Sequence, residues 1–160
     1  MALRNIVKQG DNVLNQVCRP VTKFDKRLHV LLDDMAETLL DANGVGLAAP
    51  QVGVLRRVVL VDTGEEIIEL INPEIIKAEG EQTGLEGCLS VPGKYGIVKR
   101  PYLVAVRAQD RFGEWFEVEG EELIARCFCH ELAHLEGQLY VEVAERMLTP
   151  EELKDLENEA

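Results

Sequence analysis

The sequence predicts an α+β fold, with antiparallel or mixed β-sheets packed around one central helix and a second, amphipathic helix near the N-terminus. Three observations lead there. Residues 26–42 and 121–138 carry apolar side chains at helical spacing, the first along one face and the second almost all round. Between these two stretches lie short runs rich in β-branched and apolar residues. The helices bracket those runs instead of alternating with them, which disfavours a parallel doubly wound sheet.

The first helix, over 26–42, places Leu28, Leu31, Leu32, Met35 and Leu39 on one face. Asn43-Gly44 follows as its C-terminal cap. Residues 57–62, 67–72 and 103–109 read as strands. Arg111-Phe112-Gly113 reads as a hairpin turn, with Trp115 and Phe116 opening the return strand. Trp115 is expected to cover a core. In the helix over 121–138, Leu123, Cys127, His130 and His134 form one stripe, and Ile124, Phe128, Leu132 and Leu135 cover the next arc. Glu122, Arg126, Ala133 and Glu136 remain as a narrow polar stripe, and Gly137 is the stop signal. Residues 150–160 carry five acids and one lysine and read as a solvated, partly frayed helix.

At 160 residues the chain suits a single catalytic domain spanning 1–160, with 150–160 as an acidic tail. The net charge of −12 argues against direct nucleic-acid binding, because a phosphate backbone would be repelled. No apolar run approaches the length of a membrane span. The start, Met1-Ala2-Leu3-Arg4-Asn5, lacks a signal-peptide hydrophobic region, so a reducing, cytoplasmic location is expected.

The chemistry concentrates at His130-Glu131-Leu132-Ala133-His134. Residues four apart on a helix lie one above the other, so His130 and His134 can grip one metal ion. Glu131, about a quarter-turn away, can serve a water at that metal as general base. A third ligand is still needed. Tyr140 stands where a third histidine would complete one protease pattern. Glu151, Glu152 and Glu157 lie in the polar tail, and His29 has no motif around it. Among the four cysteines, Cys88 has the most informative setting, Glu86-Gly87-Cys88-Leu89-Ser90, although a cysteine beside glycine is weak testimony alone. Cys127 shares the stripe of His130 and is expected to line a pocket; Cys129 points elsewhere, and Cys18 is structural or exposed.

Three segments together resemble the peptide deformylases: Gly44-Val45-Gly46-Leu47-Ala48-Ala49-Pro50-Gln51, then Glu86-Gly87-Cys88-Leu89-Ser90, then the helix from His130 to Gly137. The resemblance runs from about Ile6 to Val143. It implies removal of the N-formyl group from N-formylmethionyl nascent peptides, with release of formate. It makes Cys88 the third metal ligand beside His130 and His134, leaving a fourth position for the attacking water. Glu131 is then the general base and acid. The Gln51 side-chain amide and the Leu89 backbone N–H are the donors to the oxyanion. Val45, Gly46 and Gly87 are expected to pair with the substrate main chain, and Cys127 to line the pocket for the methionine side chain. The resemblance favours iron(II) in the cell, while one thiolate and two imidazoles would also accept zinc, nickel or cobalt.

Two positions depart from the family pattern: Cys129 replaces a glutamine and Ala133 an aspartate. In relatives that aspartate partners an arginine matching Arg100. Arg100 must therefore find another carboxylate or remain solvated, and weakened stability or altered packing is expected there. A C-terminal helix helps some relatives dock on ribosomes, but the acidic tail here matches RNA poorly, so no docking role is carried onto it. The alternatives are an H-E-x-x-H metallopeptidase, disfavoured by the cysteine ligand, and a noncatalytic metal-binding module, disfavoured by Glu131.

Overall fold

The computed structural model describes residues 2–159. Asp25 starts the first helix, α1 (Lys26–Asp41): its carboxylate accepts the Leu28 N–H at 3.2 Å and so satisfies one of the free N-terminal donors. Helix α1 ends at Ala42, as its apolar spacing predicts. Four strands of the main sheet then follow in pieces along the chain. These are β1 (Gly46–Ala48), β2 (Val58–Asp62), the long β3 (Ile67–Glu79) and, after an intervening hairpin, β6 (Leu103–Gln109). The hairpin is β4 (Gln82–Cys88) and β5 (Val91–Arg100). Strand β7 (Trp115–Glu121) leads into the second helix, α2 (Leu123–Leu135), and the chain ends with β8 (Arg146–Met147) and α3 (Pro150–Glu159).

Two antiparallel sheets result, a five-stranded one in the order β1-β2-β3-β6-β7 and a three-stranded one in the order β4-β5-β8. Strand β2 shows how the larger sheet is covered. Its side chains alternate between faces. Val58 and Leu60 pack with Leu28, Leu32, Met35 and Leu39 of α1. Val59 and Val61 pack with Ala125, Phe128, Leu132 and Leu135 of α2. Both faces are buried, which is why β2 reads as a continuous apolar run and not as an alternating one. Among the described residues, no helix is long and apolar enough to cross a membrane.

Four differences from the sequence reading have physical reasons. Trp115, expected to cover a core, is 48% exposed, and the Arg107 guanidinium covers its ring at 3.9 Å instead. Strand β3 runs past Asn72-Pro73 to Glu79, where a strand end was expected. Asn72 adopts a left-handed φ of 52° at a break in the β3–β6 register, and its amide bonds Val21 O at 2.9 Å and Gln109 Oε1 at 2.8 Å. A bulge so held lets the strand continue through a residue pair that usually ends one. The β4–β5 hairpin escaped notice because it lacks alternation and contains Gly84, Gly87, Gly93 and Gly96. Arg126, assigned to a polar stripe, is buried at 6% exposure. Its guanidinium reaches β4 and β5, donating to Glu86 Oε2 at 2.7 Å and Val98 O at 3.1 Å.

Candidate metal centre

Helix α2 aims His130, Glu131 and His134 at the β4–β5 hairpin, and the turn of that hairpin brings Cys88 to them. The ligating atoms of Cys88, His130 and His134 all lie within 4.8 Å of one another. Cys88 Sγ is 3.4 Å from His134 Nε2. His130 Nδ1 is engaged by Glu86 Oε1 at 2.9 Å, so Nε2 is the ring nitrogen left to ligate. Burial, with His130 beside it, pushes His134 down to about 3, so its ring is neutral and offers a lone pair near pH 7. One thiolate and two imidazoles at this spacing suit a borderline divalent cation.

Glu131 is 4% exposed, and its Oε1 is buried without a hydrogen-bond partner among the described residues. Burial pushes its carboxyl up to about 7. An unpaired buried carboxyl is costly, and groups so perturbed cluster at functional sites. It sits in the wall of a cavity of about 420 Å³, beside Cys88 and His130. Strand β1 passes directly over it. A Cβ on Gly46 would stand 2.6 Å from Cys127 Sγ and 2.7 Å from Glu131 Oε2, which is why glycine occupies that position.

The other expected residues converge on the same cavity. Val45, Gly46, Gln51, Gly87, Leu89 and Cys127 all line it. Gln51 is 1% exposed and rigidly held. Its Oε1 accepts from Ala48 N at 2.9 Å, while its Nε2 donates to Ser90 Oγ at 3.1 Å and reaches Cys88 Sγ at 3.5 Å. The N-terminal segment secures both supports of this arrangement. Val7 N donates to Gln51 O and Gln9 N to Ser90 O, each at 2.7 Å. Burial raises the Cys127 thiol well above its ordinary value, so it lines the cavity as a neutral, apolar group.

The remaining ligand alternatives lie elsewhere. Tyr140 stacks on the His130 ring at 5.7 Å and donates its hydroxyl to Lys94 O at 3.1 Å, so it buttresses the imidazole. His29 bonds Arg111 O at 2.8 Å, and Glu152 is half-buried and pairs with Arg146.

Glu86 is the functional residue that sequence reasoning quoted but gave no role. Its carboxylate, 3% exposed, accepts bidentately from Arg100 at 2.8 and 2.9 Å, from Arg126 Nη1 at 2.7 Å and meets His130 Nδ1. Burial opposes its ionisation, but the hydrogen bonds from Arg100 and His130 outweigh that and hold it down at about 2. Of the two outcomes expected for Arg100, the structure has the first: with Ala133 offering no carboxylate, Arg100 takes Glu86 and is not left solvated. The signal that would have found this hub is Glu86 preceding Cys88 by two residues on a strand facing a helix that carries Arg126.

A family model described as polypeptide deformylase matches residues 3–149. A peptide deformylase of Agathobacter rectalis is 59% identical over 148 residues, covering 92% of this chain and 94% of that protein. One of Acetivibrio thermocellus is 53% identical over 154 residues, covering 96% and 91% respectively. The backbone is similar to the crystal structure of a peptide deformylase from Legionella pneumophila, with a TM-score of 0.86 at 42% identity over 98% of this chain and 96% of that one.

Proposed function

The chain belongs to the polypeptide deformylase family, and we propose that Cys88, His130 and His134 hold its metal while Glu131 carries the proton of the reaction. It is a hydrolase of the class that removes the N-formyl group from nascent peptides, and the family is metal-dependent. The observation that carries the residue assignment is the unpartnered, buried Glu131 Oε1 beside three converging ligand atoms.

A divalent ion on those three atoms would act as a Lewis acid on water and on the formyl oxygen. The chain's own groups do the rest. Glu131 Oε1 receives the proton of the attacking water and returns it to the departing amine nitrogen, the exchange for which a carboxyl near pH 7 is suited. Gln51 Nε2, fixed by Ala48 and Ser90, and the Leu89 N–H stand as donors to the oxygen on which negative charge develops. Val45 and Gly46 at the edge strand β1, and Gly87 across the cavity, offer backbone to an extended peptide. Cys127 supplies apolar wall for the methionine side chain. Glu86 fixes the His130 tautomer and ring angle.

Iron(II) is the ion we assign in the cell, on the family resemblance; the donor set would also take zinc, nickel or cobalt. We read residues 1–160 as one catalytic domain in a cytoplasmic enzyme. Helix α3 is acidic and given no ribosome-docking role.

Gln51→Ala tests the donor assignment. Formate release from formyl-Met-Ala should fall about 10²–10³-fold in kcat, the loss typical of one oxyanion donor, with KM little changed. A kcat within a fewfold of the parent would remove Gln51 from the reaction. Cleavage of internal peptide bonds without formate release would favour the metallopeptidase reading instead.

A further inference from the structure

A second cavity, of about 480 Å³, lies between the start of α1 and the segment before β2, and it shares no lining residue with the metal centre. Arg19, Lys23, Arg27 and Arg56 line it, with Asp25 as the one acid. The carboxylate of Asp25 is committed to capping α1. None of the four cations forms an ion pair among the described residues. Four unpaired positive charges around one concavity are unexpected on a chain of net charge −12 with 29 acidic residues.

The backbone forces two of them together. Arg19 and Arg56 are direct partners in an isolated parallel bridge, closed by Arg19 N to Leu55 O at 3.0 Å and Arg57 N to Arg19 O at 2.9 Å. Like charges placed directly opposite across a β pairing destabilise it. Arg19 is exposed and Arg56 half-buried, so water screens part of that repulsion; an anion seated between them would remove the rest, and the planar fork of arginine matches phosphate oxygens.

We propose that this cavity binds a compact ligand bearing two or more phosphate charges, held by Arg19, Lys23, Arg27 and Arg56. At physiological salt the screening length is about 8 Å, so the distant acidic surface does not repel a ligand that stays inside the cavity. An extended nucleic acid would leave the cavity and run over that acidic surface, so the compact ligand is favoured.

The test uses metal-loaded full-length protein and inorganic pyrophosphate, followed by calorimetry at physiological salt with metal content checked after each titration. The parent should bind pyrophosphate, and the Arg19→Ala/Arg56→Ala double variant should bind it about tenfold or more weakly, the loss of at least one charge-assisted hydrogen bond. Without ligand, the double variant should melt at or above the parent's temperature, since it has lost a repulsive pair, and its formate release should be unchanged. The Lys23→Ala/Arg27→Ala variant, altered only at exposed positions, should weaken binding in the same way and provides the answer if the first variant fails to fold. Equal or absent pyrophosphate binding in parent and variants would overturn the proposal. So would a fall in melting temperature of a folded ligand-free Arg19→Ala/Arg56→Ala variant, which would make the arginines structural. Tighter binding of a short single-stranded RNA through the same residues would overturn the choice of a compact ligand.

Discussion

Replacing Glu131 with alanine should lower kcat for formate release from formyl-Met-Ala by about 10²–10⁴-fold, the range typical of a lost general acid–base group. Metal content should stay at the parent level, because Glu131 is not among the three converging ligands. The two readouts together separate roles that one alone would confuse. Loss of metal with loss of activity would make Glu131 a ligand or a support of one. Retained activity would remove it from the proton path. The substitution should not harm the fold, since Glu131 Oε1 has no hydrogen-bond partner among the described residues to leave stranded. Removing a buried, unpaired carboxyl relieves a desolvation penalty, so the variant is expected to melt no lower than the parent.

Glu86→Ala is expected to do the reverse, harming stability first and chemistry through it. Arg100 and Arg126 are 10% and 8% exposed at the side chain, and both have this carboxylate as their ion-pair partner, although Arg126 also donates to Val98 O at 3.1 Å. Removing one member of a buried ion pair costs about 3–5 kcal/mol because the charge left behind is uncompensated. At about 2–4 °C per kcal/mol for a chain of this size, the melting temperature should fall by about 6–20 °C. His130 also loses the acceptor that fixes its tautomer, which should weaken metal binding about 10–100-fold. A fall of only a degree or two, with metal affinity unchanged, would show that the two arginines find water or other acceptors without loss. Alanine at position 133 sharpens this prediction. With no aspartate on the helix to share Arg100, Glu86 is its one ion-pair partner among the described residues.

Helix existence and the histidine-bearing helix were legible in the sequence because their signals are local: apolar spacing in α1 and α2, and two histidines one turn apart. The proposed metal set was legible only through the three-part resemblance, because Cys88 lies 42 residues from His130 and nothing local joins them. What escaped were pairings made across space. The β4–β5 hairpin is rich in glycine because Arg126, Tyr95 and Met147 press on its backbone, and close approach erases the alternation that marks a strand. Arg126 looked solvated because a charged residue on a helix usually is. Its partner, Glu86, sits on another element, so neither residue alone announces the pair. The same holds for Tyr140, whose stacking on His130 has no counterpart in sequence spacing.

X-ray absorption at the zinc edge of the zinc-loaded protein tests the ligand set most directly. The account predicts one sulfur at about 2.3 Å and two imidazole nitrogens at about 2.0–2.1 Å, the contributions of Cys88, His130 and His134. A shell without sulfur in the reduced, folded protein would contradict it.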